Sequence, residues 1–380
     1  MDHDAERVKE LRRWLHAHPE VSGKEARTAA HLAEWLVQHA PPDRLVRGLG
    51  GEGLAAIYNE AAPAHQGVLI RAELDALPIT ETSHVPWSSQ HAGVMHACGH
   101  DGHASCLAGL ALRLHATRPQ RRVTLLFQPS EETGLGAAAV VADARWAALA
   151  APRNFAIHNY PGHPLAQVGC RPGTMACAST GLCITLRGAT AHAASPESGR
   201  SPAAAVAKLM ENLPRAAAIG EPLTMTTLTH VRVGEPTYGI APGHAVLQVT
   251  CRSEQDSLLE AEVTRVRNLV AEHAAGFDNT IELVEPFAAT VNDELAVQMV
   301  VNAASAASLA CVNPAEPARW SEDFGVLLND ARSRYGSEAC GALLLLGSGE
   351  AQPSLHDSAY NFPDSLLQPG ITVFEHLCRA

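Results

Sequence analysis

Nowhere in these 380 residues does an apolar stretch reach the ~20 residues that a membrane-spanning helix needs. The first twenty positions are polar and charged and hold no apolar core of the kind a secretory signal carries. No membrane partner is therefore expected. An excess of basic charge is missing too. The formal net charge is −12, whereas gripping phosphates calls for Lys and Arg, so no nucleic-acid partner is expected either. The acidic balance itself speaks mainly to solubility. Ordered cysteine spacing is also lacking. The nine cysteines (Cys98, Cys106, Cys170, Cys177, Cys183, Cys251, Cys311, Cys340 and Cys378) are odd in number and irregularly placed. That argues against a disulfide framework and for reduced thiols in a cytoplasmic setting. Internal repeats and long low-complexity tracts are absent as well.

What is present is a globular composition, 46% hydrophobic and 18% charged, in a chain long enough for two domains. Val8, Leu11 and Leu15 recur at helical spacing, and a second helix fits 25–38. Apolar runs at 54–58, 68–72 and 123–127, the last after a helical stretch over 102–116, read as buried parallel strands of an α/β domain. From Gly181 the order is strand (182–187), helix (201–215), strand (223–233), strand (245–252), helix (256–274) and strand (280–284). This β-α-β-β-α-β order is that of ferredoxin-like folds. After Asn292 a helix and the run 342–346 read as a return to the first domain. The expected organisation is a catalytic domain built from 1–180 and 289–380, with an insert over 181–288.

Twenty histidines are the unusual feature, and the densest group is His96-Ala97-Cys98-Gly99-His100-Asp101-Gly102-His103. Cys98 and His100, two apart on a turning backbone, can aim at one ion, and thiolate with imidazole suits zinc and its neighbours. Asp101 is placed to hydrogen-bond a ligand from behind. The bland alternative is a polar turn with satisfied histidines, against which the density of the group weighs. Glu131 and Glu132 end the apolar run 123–127. Adjacent carboxylates repel unless one binds a metal while the other serves as general base. An acidic helix N-terminus is the competing reading, and local sequence does not choose between them. His158 and His356 are weak signals alone, but each lies near the end of an apolar run. Glu73 and Asp75 precede Pro78 and fit a solvated turn equally well. His192, in a small-residue loop, could donate to an oxyanion, although an ordinary loop histidine is the more common case.

Taken together, the stretches around Leu11–Glu20, Arg71–Pro78, Met95–His103, Phe127–Glu132, His158-Asn159, Gly188–Ala194, Ser321–Phe324 and Leu355–Asp364 resemble the amidohydrolase branch of the aminoacylase-like di-metal metallopeptidases. Hippurate hydrolases, N-acyl amino acid deacylases and auxin-conjugate hydrolases belong to that branch. The resemblance implies an α/β fold: a zinc-peptidase-like catalytic domain with an inserted ferredoxin-like α+β lid or dimerisation domain. It implies Cys98, His100, Glu132, His158 and His356 as metal ligands, with Cys98 bridging. Glu131 resembles the general base and Asp75 a supporting residue near the metals. His192 resembles an oxyanion-stabilising histidine that often reaches a partner subunit's site, and Arg252 an arginine that holds a substrate carboxylate. One departure stands out: relatives carry an Asn ahead of that arginine where this chain has Gly239. Tyr238 and His244 are the side chains at hand to compensate.

The activity implied is that of a metallo-amidohydrolase cleaving a linear amide in a small N-acyl amino acid or related compound, by attack of water bridged between two divalent ions. Manganese, zinc, cobalt and nickel all suit such donors, and a homodimer is implied. A dipeptidase or aminopeptidase, a hydrolase of some other C–N bond, and a metal-dependent binding protein remain as alternatives. The last has no need of a base at Glu131.

Overall fold

The computed structural model describes residues 2–380. The chain begins with α1 (Asp2–Ala17) and α2 (Ala26–His39). Next come β1 (Arg44–Leu49), β2 (Gly53–Tyr58), β3 (Val68–Glu73), α3 (His100–Ala116), β4 (Val123–Gln128), α4 (Gly136–Ala142), β5 (Arg153–Pro161), β6 (Val168–Gly169) and β7 (Gly173–Ala176). The middle of the chain forms β8 (Ala178–Arg187), β9 (Ala191–His192), α5 (Ala203–Asn212), β10 (Thr224–Val233), β11 (Ile240–Ala241), β12 (His244–Ser253), α6 (Asp256–His273) and β13 (Asp278–Phe287). The last part holds β14 (Thr290–Asn292), α7 (Glu294–Ala306), β15 (Cys311–Val312), α8 (Phe324–Tyr335), β16 (Cys340–Gly349) and α9 (Leu367–Arg379).

Two compact units result. One comprises residues up to Met175 with Thr290–Glu316 and Asp323–Ala380. The other comprises Ala176–Ala289 and Pro317–Glu322. The short return 317–322 lies beyond the 181–288 insert expected from sequence. Its Ala318 bridges Ala176, and the Cys177 N–H donates to the Ala318 carbonyl at 3.2 Å. Such a long-range backbone pairing leaves no local sequence pattern.

The first unit is built on an eight-stranded sheet in the order β1-β2-β4-β3-β5-β16-β6-β15. β4, β3, β5 and β16 run parallel, and β2, β3 and β4 are buried at every position. Strands buried on both faces read as unbroken apolar runs, which is why these were legible in the sequence. Alternation sorts their side chains. Val68, Ile70 and Ala72 enter a core shared with Val8, Leu11 and Leu15 of α1 and with residues of α2, α3, α7 and α9. On the opposite side, Arg71 Nη2 donates to Asp323 Oδ1 at 2.7 Å.

The run 54–58 departs from the parallel expectation. β2 pairs antiparallel with both β1 and β4. For the β1–β2 pair the reason lies in Gly50 and Gly51, at φ +61° and +113°. They permit a tight turn, and only antiparallel neighbours can be joined by one so short.

In the second unit the sheet order is β10-β12-β8-β13, with every neighbouring pair antiparallel. In order of appearance these are the second, third, first and fourth long strands, the ferredoxin-like arrangement. Leu182, Ile184, Leu186, Leu247 and Val249 pack against Val206 and Leu209 of α5 and Val266 and Val270 of α6. A small ladder of β9 and β11 sets His192 opposite Ile240.

Candidate metal centre

In the first unit, the ends of β3, β4, β5 and β16 deliver the polar residues, as open α/β sheets do with their ligand sites. His100 opens α3 directly after Gly99, whose φ is +90°. Glu131 and Glu132 follow β4, and His158 lies within β5. His356 follows β16, and its N–H donates to the Ala97 carbonyl at 2.9 Å. That bond ties the His356 loop to the segment leading into Cys98.

The five residues form two triplets that share one sulfur. Ligand atoms of Cys98, His100 and His158 lie within 4.8 Å of one another, and so do those of Cys98, Glu132 and His356. Cys98 Sγ is 3.5 Å from His158 Nε2, and His356 Nε2 is 3.6 Å from Glu132 Oε2. Glu131 Oε2 lies 3.8 Å from His100 Nε2. Cys98, His100, Glu131 and His158 are buried, whereas His356 is exposed.

His100 and His158 each have one ring nitrogen committed to a main-chain carbonyl. His100 Nδ1 donates to the Asp75 carbonyl at 2.9 Å, and His158 Nδ1 to the Asn159 carbonyl at 2.9 Å. In both rings Nε2 is thereby the nitrogen that a metal would take, in His100 by displacing a proton. His100 Nε2 is buried with no hydrogen-bond partner among the described residues. An unsatisfied buried ring nitrogen is costly, and a cation at the triplets removes the cost. The charge around it agrees. Burial alone would lower His100, but Asp75, Glu73 and Glu132 push it up to about 10, which marks a pocket that attracts positive charge. Burial and the neighbouring His103 bring His158 down to about 3, so it is a neutral donor at ordinary pH. A sulfur, imidazole and carboxylate set of this kind fits divalent transition metals.

Asp75 is completely buried, which rules out the solvated-turn reading, as does the burial of Glu73. Asp75 Oδ2 accepts the Glu132 N–H at 2.9 Å and the Ser22 hydroxyl at 2.7 Å. Burial acts to raise its pKa, yet the bond to His100 and these donors hold it below the usual range. Asp75 thus supports two segments that carry candidate ligands, His100 and Glu132.

Other members of the histidine-rich motif are placed differently. His103 Nδ1 is 2.7 Å from Glu73 Oε2, and its Nε2 accepts the Asn159 N–H at 3.1 Å. Both its nitrogens are committed, so it braces the site from behind. Asp101 does not hold a ligand. Its Oδ2 meets His16 Nδ1 at 2.9 Å and Arg12 Nη1 at 3.5 Å. His96 is buried, and burial keeps it neutral with a pKa near 4. The Arg71, Gln128 and Asp323 network beneath the strand ends was not foreseeable from spacing, since its members lie far apart in the chain.

His192, Tyr238, Gly239 and Arg252 belong to the second unit. His192 Nδ1 accepts the Ala194 N–H at 3.0 Å, which places the ring proton on Nε2 as an available donor. Just before its ladder partner Ile240 come Tyr238, fully exposed, and Gly239, where an added Cβ would meet open space. Arg252 sits at the far end of β12 and donates to the Ser321 hydroxyl at 3.0 Å. Eight residues separate it from His244, the first residue of β12, or about 27 Å at the rise of an extended strand. Arg252 and the His192 region are therefore not brought together within one unit.

The chain is similar to known proteins along most of its length. A Bacillus subtilis N-acetyl-L-cysteine deacetylase is 31% identical, the match covering 84% of this chain and 76% of that protein. An N-acetyldiaminopimelate deacetylase from Exiguobacterium sibiricum is 29% identical, over 97% of this chain and 98% of its own. Among solved structures, the Bacillus subtilis YXEP protein, a dinuclear metal binding peptidase, is alike in fold. Its TM-score is 0.80 at 24% identity, with 100% of this chain and 98% of that one covered. Residues 69–380 match the model of Peptidase family M20/M25/M40, and the chain belongs to that family.

Proposed function

We propose that this protein is a metal-dependent amidohydrolase that removes the acyl group from a small N-acyl amino acid. The observation that carries the reading is the pair of ligand triplets joined at Cys98, with the Glu131 carboxylate beside them. Cys98, His100, Glu132, His158 and His356 would hold two divalent ions, among manganese, zinc, cobalt and nickel. Such ions supply Lewis acidity toward a carbonyl oxygen and acidify water. Glu131 takes a proton from the attacking water at its carboxylate and returns it to the leaving amine. His192 donates from Nε2 to the oxyanion, and Arg252 pairs with a substrate carboxylate.

The separation of Arg252 from His192 supports a homodimer. A substrate of a few ångströms cannot touch both in one copy, so one copy supplies the arginine and the other the histidine. Tyr238 and the open space at Gly239 then border the substrate beside His192. The names of the two curated relatives favour an acetyl group on an amino acid with a polar side chain.

The test is hydrolysis by protein stripped of metal and reloaded with each of the four ions. Substrates are N-acetylcysteine, N-acetyldiaminopimelate, unblocked dipeptides and aromatic amides. Turnover of the N-acetyl compounds that appears only on reloading is expected. Faster cleavage of unblocked dipeptides would make the protein a dipeptidase. Reloaded protein that binds an N-acyl compound and releases it unchanged would make it a binding protein.

A further inference from the structure

Ser130, the residue before Glu131, has φ +55°. This left-handed conformation is strained for any residue with a side chain and persists only if its surroundings hold it. The holder is Glu25, 105 residues away in the chain. Its Oε1 accepts the Ser130 main-chain N–H at 2.8 Å and lies 3.3 Å from the Ser130 hydroxyl. Glu25 is completely buried and precedes α2. Burying a carboxylate is costly, so its position calls for a compensating role. Burial, with Asp75 nearby, raises its pKa against the pull of main-chain N–H groups.

The same short segment grips the other side of Glu131. Ser22 donates to Asp75 Oδ2, and that oxygen accepts the Glu132 N–H at 2.9 Å. The segment is itself anchored to the end of β3. The Ala76 N–H donates to the Glu20 carbonyl at 2.8 Å, and Val21 bridges Ala76. The two peptide N–H groups that flank Glu131 are thus each accepted by a buried carboxylate.

We infer that Glu25 is a positioning residue for this turn: by holding Ser130 in its left-handed conformation it aims the Glu131 carboxylate. The role rests on Glu131 being the general base of the proposed hydrolysis. Glu25 touches neither substrate nor reacting atoms. Its effect is on kcat, because misplacing a catalytic group by an ångström slows the step without weakening binding.

The test compares Glu25→Ala, Glu25→Gln and the double variant Glu25→Ala/Ser130→Gly with the unaltered protein. Two measurements are made: kinetics with metal-reloaded protein, and amide hydrogen exchange of residues 129–134 in metal-free protein. Glu25→Ala is expected to keep its metal content and KM while kcat falls by about 100-fold. Its 129–134 segment should exchange faster, with α3 unaffected. Glu25→Gln keeps an oxygen for the Ser130 N–H and should lose far less, about threefold. In the double variant, glycine adopts φ +55° without strain, so kcat should recover by about tenfold. Full kcat in Glu25→Ala would overturn the role, and so would unchanged exchange at 129–134. Loss of metal in Glu25→Ala that glycine does not repair would make Glu25 an ordinary buried acid of the fold. If the unaltered protein hydrolyses nothing, the hydrolase reading fails, while the exchange measurement still decides whether Glu25 holds the turn.

Discussion

His16 offers the clearest link between the fold and pH. It lies on α1, fully buried, with Nδ1 2.9 Å from Asp101 Oδ2 and Nε2 3.1 Å from Glu81 Oε1. Burial alone would lower its pKa and Arg12 opposes its charge. Asp101 and Glu81 outweigh both and push it from 6.5 up to about 9. At 1.36 kcal/mol per unit, that shift corresponds to stabilisation on the order of 3 kcal/mol. Because the folded value is the higher one, the contribution is fully present below pH 6.5 and is lost as pH rises through about 9. The perturbation is His16→Gln, compared with the unaltered protein by urea unfolding at about pH 6 and about pH 9.5. Metal-free samples keep the pH dependence of metal binding out of the result. The stability gap between the two proteins should be larger at the lower pH by on the order of 3 kcal/mol. Taking the difference cancels the shared groups whose titration does not depend on His16; Asp101, Glu81 and His96, which face it, move with it. A gap that stays constant, or that widens toward high pH, refutes the reasoning.

Three further outcomes are expected. Glu131→Gln should retain its metals by elemental analysis and lose kcat by about 10²–10⁴-fold, the usual worth of a general base; near-normal turnover in metal-replete protein would remove that role. His192→Ala should keep its metal content and lower kcat by about 10²-fold, whereas loss of metal would put His192 in the wrong place. Gly99→Ala should bind less metal on titration with cobalt. Its φ is +90°, and the added Cβ would fall 2.2 Å from Asn159 Oδ1, so the turn between Cys98 and His100 must shift.

Much of the architecture was legible because the relevant signals are local. Apolar runs at 68–72 and 123–127 become the buried strands β3 and β4, and the order of elements after Gly181 becomes the ferredoxin-like sheet. Glu131, Glu132 and His158 were legible because they stand near the ends of apolar runs, and Cys98 and His100 because they fall in one dense histidine-rich motif. Strand direction was less so. β2 carries the same kind of apolar run as β3, yet runs antiparallel to β4, whereas β3 runs parallel to it. Composition does not record direction.

The sequence by itself determined which side chains are available for metal chemistry and which segments become strands, since both depend on neighbours within a few residues. Only the tertiary structure decided which of those donors meet. Cys98 is shared between two triplets because β3, β4, β5 and β16 end side by side. His103, equally suitable by type, is withdrawn because Glu73 and the Asn159 N–H occupy both its nitrogens. Asp101 turns to His16. Glu25 reaches Ser130 across 105 residues. Each outcome depends on long-range pairing and on the cost of leaving a buried polar atom unsatisfied, and neither is expressed in local spacing.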